Sequence, residues 1–238
     1  MRLSVGKRLL SNGNFAGAEA VFRALHQSHP DHPRASFLLG LAIHKQKRYA
    51  EARPLLERSD ALASSMDGDV VAAIFPEAAH VPHFLGWCTY YLGDLDASAR
   101  HFDAHIALVP GEFDSQFGRG IVAIDQDDLE AAQQHLHLAL QLIDVPGADG
   151  QLAMPRPKDR AKVLVRLGDV ALRRDQVEEA RAQYEEAVTL WPAHHEGWAK
   201  LARVLDRLHQ PEAAAKAREQ QQRVLEQLGR VGDGGGGQ

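Results

Sequence analysis

Residues 33–66 read PRASFLLGLAIHKQKRYAEARPLLERSDALASSM, and this stretch decides the fold because its pattern recurs along the chain. Apolar residues follow a helical period on both sides of a polar break, which predicts two amphipathic helices joined by a turn. The dipeptide Leu39-Gly40 in the first of these helices returns as Leu85-Gly86 and as Leu167-Gly168. Such self-similarity at a fixed spacing is typical of a repeat architecture.

Three coupled positions recur in each copy of the pattern. The first is a small residue, found as Gly6, Gly40, Gly86, Gly120, Gly168 and Ala202. A second small position follows as Ala18, Ala52, Ser98, Ala132, Ala180 and Ala214, and a large one as Phe22, Leu56, Phe102, Leu136 and Tyr184. Small residues let two helices approach closely, and large ones fill the layer between them. Each unit is therefore predicted to be a helix–turn–helix hairpin, with Gly13, Gly93, Asp127 and Asp175 as left-handed turn residues.

This register divides the chain into six hairpins, two inserts and a tail. The hairpins are residues 1–32, 33–66, 79–112, 113–146, 161–194 and 195–228, taken together as a single domain over 1–228. The insert at 67–78 is expected to add a short helix capped by Asp69, and the insert at 147–160 is expected to be a loose loop. The glycine-rich tail, residues 229–238, is expected to be disordered.

The pattern resembles the tetratricopeptide repeat family over nearly the whole chain. The Leu-Gly pairs, the small and large positions, and the closing prolines Pro30, Pro110 and Pro192 carry the resemblance. It implies an all-α fold, a right-handed α-solenoid superhelix of antiparallel helix–turn–helix hairpins with a concave and a convex face. It also implies a non-enzymatic protein–protein interaction module in which the first helix of each hairpin faces the concave groove.

The groove positions of the central hairpins, assigned through this resemblance, are mainly aromatic and apolar. Aromatic side chains in a concave site are frequent anchors for a partner. We therefore expect another protein or a peptide segment to bind at Phe37, Leu41, His44, His83, Trp87, Tyr90, Tyr91, Phe117 and Ile121. One alternative stays open, in which the insert at 67–78 fills the groove and covers Trp87 and Tyr90 with the chain's own residues.

Composition argues against several other classes of protein. Lys plus Arg number 27 against 32 for Asp plus Glu, a net charge of −5, whereas nucleic-acid binders usually carry a basic excess. The single cysteine, Cys88, excludes an intramolecular disulfide and a cysteine-only zinc site. No apolar run is long enough to predict insertion into a membrane. A cytoplasmic monomer that binds no nucleic acid is the expectation.

Thirteen histidines support the alternative of a metal- or small-ligand-binding protein, or of an enzyme. His101 and His105 are four residues apart on one helix, a spacing at which two imidazoles can share zinc, and His44, His80 and His83 belong to the groove helices. However, His105 occupies a position that the repeat normally fills with Ala, which favours a buried structural histidine. No phosphate loop and no nucleophile elbow occurs, so no catalytic residue, cofactor or metal site is expected.

Overall fold

The computed structural model describes residues 2–143 and 156–233, which form α-helices joined by short connections. The chain divides into two compact units, Met1–Gln126 and Asp127–Gln238. Nowhere in the described ranges is a helix both long enough and apolar enough to span a lipid bilayer.

The first unit contains the six helices of the first three predicted hairpins and two further helices, Gly68–Ile74 and Phe113–Asp125. They are α1 (Arg2–Ser11), α2 (Phe15–Ser28), α3 (Pro33–Lys45), α4 (Tyr49–Ser64), α5 (Gly68–Ile74), α6 (Val81–Tyr91), α7 (Leu95–Leu108) and α8 (Phe113–Asp125). The helices α1 and α2, α3 and α4, and α6 and α7 pack as hairpins. Between α4 and α6 the chain forms α5 and a 3₁₀ helix, Ala78–His80.

The second unit contains α9 (Leu129–Ile143), α10 (Pro157–Arg173), α11 (Val177–Leu190), α12 (His195–Arg207) and α13 (Pro211–Asp233). The helices α10 and α11 form one hairpin, and α12 and α13 form another. Tyr184, fully buried on α11, is the largest side chain of its core.

The small and large positions of the repeat meet in space, as the sequence predicts. A Cβ atom on Gly86 would lie 2.7 Å from Cε1 of Phe102, closer than real contacts allow. Gly6 faces Phe22, Gly40 faces Leu56, and Gly168 faces Tyr184 in the same manner. The aromatic or leucine side chain of the second helix therefore fills the space that glycine leaves on the first helix.

The turns inside the hairpins depend on one left-handed residue each. The four predicted turn residues are confirmed, since Gly13, Gly93, Asp127 and Asp175 all have φ between 60° and 81°. Lys47 (φ 62°) and His209 (φ 57°) adopt the same conformation without being glycine, asparagine or aspartate. The geometry of the hairpin therefore imposes the left-handed residue even where the side chain does not favour it.

Some predicted boundaries are wrong. The side chain of Asp67, not of Asp69, caps α5 by accepting hydrogen bonds from the backbone amides of Asp69 and Val70. The helix α10 begins at Pro157, inside the segment predicted as loop, because proline is well suited to a first helical position. The helix α13 continues to Asp233, so it includes 229–233, the first five residues of the segment predicted as a disordered tail. The rest of that predicted tail, 234–238, and residues 147–155 lie outside the described residues.

The predicted fourth hairpin, 113–146, crosses the boundary between the two units, because α8 belongs to the first and α9 to the second. The interpretation of residues 1–228 as a single domain stays a prediction.

Candidate functional site

The predicted partner-binding residues all belong to the first unit. There the first helices of successive hairpins are neighbours, α3 beside α6 and α6 beside α8. We call the surface formed by α1, α3, α6 and α8 the first-helix face. It is the surface that the resemblance assigns to ligand binding.

An aromatic platform, defined as Trp87, Tyr90 and Tyr91, lies at the C-terminal end of α6. The Trp87 and Tyr91 rings lie 28° from parallel, with centroids 6.0 Å apart, and Tyr90 meets both of them edge-on. Tyr91 also stacks on Tyr49 of α4, with ring centroids 4.3 Å apart. More than half of the Tyr91 surface, 55%, is exposed to solvent.

The platform is held from beneath and from the side. The Trp87 ring packs edge-on against the fully buried Phe102 of α7, with centroids 5.2 Å apart. The Tyr90 hydroxyl donates a 2.8 Å hydrogen bond to Asp125 on α8. Three neighbouring helices therefore fix the orientation of aromatic rings that remain accessible.

Phe37, another predicted binding residue, is covered by the insert. It is only 3% exposed, and its ring centroid lies 5.2 Å from that of Phe75 and 5.7 Å from that of Phe84. While Phe75 lies on it, the Phe37 ring is not accessible to a partner, and the binding role of Phe37 stays a prediction. The alternative left open by the sequence has the insert over Trp87 and Tyr90, whereas the ring of Phe75 packs on Phe37.

A carboxylate fastens the insert to the first-helix face. Glu77 accepts hydrogen bonds through one oxygen, Oε1, from Lys7 of α1 at 2.6 Å and from Arg34 of α3 at 2.7 Å. Burial raises the pKa of the Glu77 carboxyl, but the hydrogen bonds from the two cations outweigh it and bring the pKa below its ordinary value.

His44 is enclosed by aromatic rings rather than offered to a ligand. Its imidazole lies edge-on to Tyr49 and to Phe84, at 5.3 and 5.4 Å between centroids. Both ring nitrogens are buried, and neither has a hydrogen-bond partner among the described residues. Burial, and then the charge of Lys45, lowers the pKa of His44 to about 4. The ring is therefore neutral near pH 7.

The remaining predicted residues are half-buried on the same face. Leu41 packs against the core of the first two hairpins, and Phe117 stacks on Phe113 with centroids 5.7 Å apart. Ile121 follows one helical turn after Phe117 on α8 and is also half-buried. The structure thus brings Trp87, Tyr90 and Tyr91 into direct contact with one another.

The buried His105 and the half-buried His80 and His83 form a hydrogen-bonded network with one serine. Ser115 lies 2.9 Å from Nδ1 of His83 and 2.8 Å from Nδ1 of His105, and Nε2 of His105 lies 3.1 Å from Nδ1 of His80. Burial, followed by the charges of neighbouring histidines, lowers the pKa of His83 to about 3. His105 is 1% exposed, as its position in the repeat predicts.

These hydrogen-bonded histidines do not form a metal site. In residues 2–143 and 156–233, no group of three or more His, Cys, Asp or Glu side chains is arranged to hold a metal ion. The nitrogens of His80 and His105 that face each other are joined by a hydrogen bond. Cys88 is a buried free thiol, and its burial raises its pKa to about 12, so it is not activated as a nucleophile.

Sequence reasoning missed Phe84, which lies among aromatic and histidine rings of the first-helix face. Its ring touches Phe37, His44 and His83. The signal was present, because Phe84, Trp87 and Tyr91 are spaced by three and four residues, and this spacing puts them on one side of α6.

Comparison with known proteins supports the repeat assignment. One model of the tetratricopeptide repeat matches residues 6–67 and 89–144, and a second model with the same description matches residues 161–204. Together these matches cover well over half of the sequence. No curated protein matches it significantly.

Solved structures share the fold at low sequence identity. A chain of the Cut9–Hcn1 hetero-tetramer of the APC/C is 16% identical with a TM-score of 0.73; the match covers 94% of this chain and 39% of that one. PilW, a type IV pilus biogenesis factor, is 15% identical with a TM-score of 0.71, covering 93% and 90%. YrrB, described as a TPR protein with an unusual peptide-binding site, is 12% identical with a TM-score of 0.58, covering 85% and 91%.

This chain thus spans well under half the length of the Cut9–Hcn1 chain that it matches. At such identities the likeness concerns the fold. Tetratricopeptide repeat proteins are typically scaffolds for protein–protein interaction and are usually not enzymes. With two family models matched over most of its length and an all-α array of helical hairpins in its structure, this chain belongs to the tetratricopeptide repeat family.

Proposed function

We propose that this protein is a non-enzymatic interaction module that binds a peptide or a segment of a partner protein on the first-helix face of its first unit. The observation that carries the proposal is the aromatic platform, because Tyr91 leaves 55% of its surface exposed beside the half-buried Trp87 and Tyr90. Tyr and Trp are enriched among the residues that supply most of the binding energy at protein interfaces.

The platform suits an anchor because its rings are already ordered. Trp87 is packed on Phe102, Tyr90 is hydrogen-bonded to Asp125, and Tyr91 is stacked on Tyr49. Binding therefore costs little conformational entropy at these side chains, and this preorganisation favours affinity. Phe117 and Ile121 on the neighbouring α8 are half-buried and extend the apolar surface.

Among the proteins with a similar fold, YrrB is described as having a peptide-binding site. This description supports the general kind of ligand. The residues of the site proposed here are inferred from this chain alone.

Affinity capture from a lysate of the native host, read by mass spectrometry, tests the proposal. The wild-type protein is compared with a Tyr91→Ala, Phe117→Ala variant that is shown by circular dichroism to remain folded. We expect a protein that is retained by the wild type and lost by the variant. Both substituted rings are partly accessible, so this pair is preferable to a substitution of the buried Phe37.

Leu108→Ala is the matched control. Leu108 is a large apolar residue, 61% exposed, at the end of the second helix α7 rather than on a first helix. The control is expected to retain the same protein as the wild type. Equal retention by the Tyr91→Ala, Phe117→Ala variant would exclude the platform as the binding surface.

A further inference from the structure

The insert between the second and third hairpins lies on the first-helix face as a ligand would. Its α5 helix has no buried residue, and Val70 on it is 49% exposed. Val71 and Ile74 of α5 pack partly buried against the core, and the residues that follow α5 attach the segment further. Phe75 is fully buried against Phe37, and Glu77 bonds to Lys7 and Arg34.

This attachment joins residues that are distant in sequence. Glu77 and Lys7 are separated by 70 residues and Glu77 and Arg34 by 43, so one carboxylate connects α1 and α3 to the insert. Arg34 also donates a 3.5 Å hydrogen bond to the backbone carbonyl of Ile74. An aromatic ring, two cations and one main-chain contact are features by which a protein can recognise a short peptide.

From this geometry we infer that Phe37, Lys7 and Arg34 form a second peptide site, which the segment Ile74–Glu77 of the chain itself occupies and from which a partner segment displaces it. The inference rests on the proposed function. The ligand it defines is a peptide in which an aromatic residue comes two positions before a glutamate or an aspartate. Phe75 and Glu77 show that spacing.

The internal segment does not use the full hydrogen-bonding capacity of the site. Glu77 serves both cations through Oε1, while its buried Oε2 has no partner among the described residues. Nε of Arg34 is likewise buried without a partner there. A carboxylate that accepts from Nε and an Nη atom of Arg34 together would gain the bidentate geometry that guanidinium groups favour. An external peptide can therefore bind better than the internal one.

Space is also available beside the segment. A cavity of about 250 Å³ is bordered by Ile74 and by Leu3, Leu25 and Leu38 of the first two hairpins. A larger apolar side chain in place of Ile74 would fill part of this volume and remove more apolar surface from water. A peptide with phenylalanine at that position is therefore expected to bind more tightly than one with isoleucine.

Fluorescence anisotropy with a labelled peptide of residues 68–80, GDVVAAIFPEAAH, tests the inference directly. In the wild-type protein the internal segment competes with the peptide, whereas the Phe75→Ala, Glu77→Ala variant leaves the site open. Because an internal competitor lowers the apparent affinity by the fraction of molecules with an open site, we expect at least roughly tenfold weaker binding to the wild type. The same peptide with its own Phe and Glu changed to Ala is the matched control and should not bind.

Adding Arg34→Ala to the open variant should weaken peptide binding by roughly tenfold or more, because the carboxylate then loses its guanidinium partner. Equal affinity of the peptide for the wild type and the open variant would overturn the inference. So would failure of the peptide to bind a folded open variant. If the open variant does not fold, the segment is an integral part of the core, and the inference is also wrong.

Hydrogen exchange of the wild type gives a second measurement that needs no core substitution. A displaceable segment opens on its own, so amides of 68–80 should exchange faster than those of α3 and α6, and Glu77→Gln should accelerate only that segment. Exchange of 68–80 at the rate of global unfolding would contradict the inference. Neither result affects capture through the aromatic platform, so failure of this site and failure of the proposed function can be told apart.

Discussion

Tyr49 and Tyr91 lie face to face, with ring centroids 4.3 Å apart and planes 10° from parallel. Tyr49 begins the second helix of one hairpin, and Tyr91 ends the first helix of the next. The stack therefore joins two repeats at the point where the exposed ring of the platform needs support. It couples the stability of the array to the orientation of a candidate binding residue.

A double-mutant cycle measures this coupling. Tyr49→Ala, Tyr91→Ala and the double variant are compared with the wild type by urea unfolding. We expect an interaction free energy of about 0.5–1.5 kcal/mol, the range for aromatic pairs beyond their burial. Tyr91→Phe, which keeps the ring, should retain most of the coupling. Strictly additive single substitutions would show that the stack contributes nothing.

The glycine of the small position is expected to be required for packing. A Cβ atom on Gly86 would lie 2.7 Å from the buried ring of Phe102. Gly86→Ala should therefore lower the free energy of unfolding by about 1–3 kcal/mol, the cost of overpacking a core. Thermal or urea unfolding measures the change.

Gly111→Ala is the matched control for that substitution, because a Cβ atom on Gly111 would meet nothing within 4 Å. We expect its effect to stay within about 0.5 kcal/mol. If both glycine variants were equally stable, close helix approach at the small position would not be what Gly86 provides.

The hairpins could be predicted from the sequence because their determinants are local and repeated. The contact between Gly86 and Phe102 joins two positions of one hairpin, and the same spacing recurs in the other hairpins. The position of the insert on the first-helix face could not be predicted in this way. It depends on Glu77 meeting Lys7 and Arg34, which belong to other hairpins and carry no periodic signal. For that reason Phe37 was assigned to an open groove although Phe75 covers it.

The turn residue Lys47 offers a route to greater stability. It adopts φ 62°, a conformation that costs an L-residue roughly 1–2 kcal/mol, whereas glycine adopts it freely but loses more entropy on folding. Lys47→Gly should therefore raise the free energy of unfolding by up to about 1 kcal/mol. Lys47→Ala keeps the Cβ atom and should give no gain. A destabilised glycine variant in urea unfolding would refute this account.

Acid is expected to destabilise the first unit through its buried histidines. The pKa values of His44 and His83 are about 4 and about 3 in the folded protein, against an ordinary value of 6.5. At a pH between the folded and the ordinary pKa, the unfolded protein binds more protons than the folded protein. The free energy of unfolding is therefore fully retained above pH 6.5 and falls as the pH is lowered. At pH 5 the loss is about 2 kcal/mol for each histidine.

Urea unfolding at a series of pH values from 7.5 to 5 tests this expectation, with His44→Phe as the diagnostic variant. Phenylalanine keeps an aromatic ring between Tyr49 and Phe84 and has no nitrogen to protonate. The variant should lose the part of the pH dependence that His44 contributes, about 2 kcal/mol at pH 5. It should be at least as stable as the wild type near pH 7, because no unpaired polar atom is buried. An unchanged pH slope would assign the acid sensitivity to other groups.

Ser115 is expected to be essential to the hydrogen-bonded network of histidines, because its single hydroxyl faces Nδ1 of both His83 and His105. Ser115→Ala removes a small, fully buried side-chain oxygen and leaves both nitrogens without that partner. A buried polar group left unpaired costs about 1–3 kcal/mol, so the variant should unfold at clearly lower urea concentration than the wild type. Ser65→Ala, at the exposed residue that follows α4, is the control and should have little effect. A Ser115→Ala variant as stable as the wild type would mean that the two imidazoles find other partners. The hydrogen bonds to Ser115 would then result from the packing of the helices and would not stabilise it.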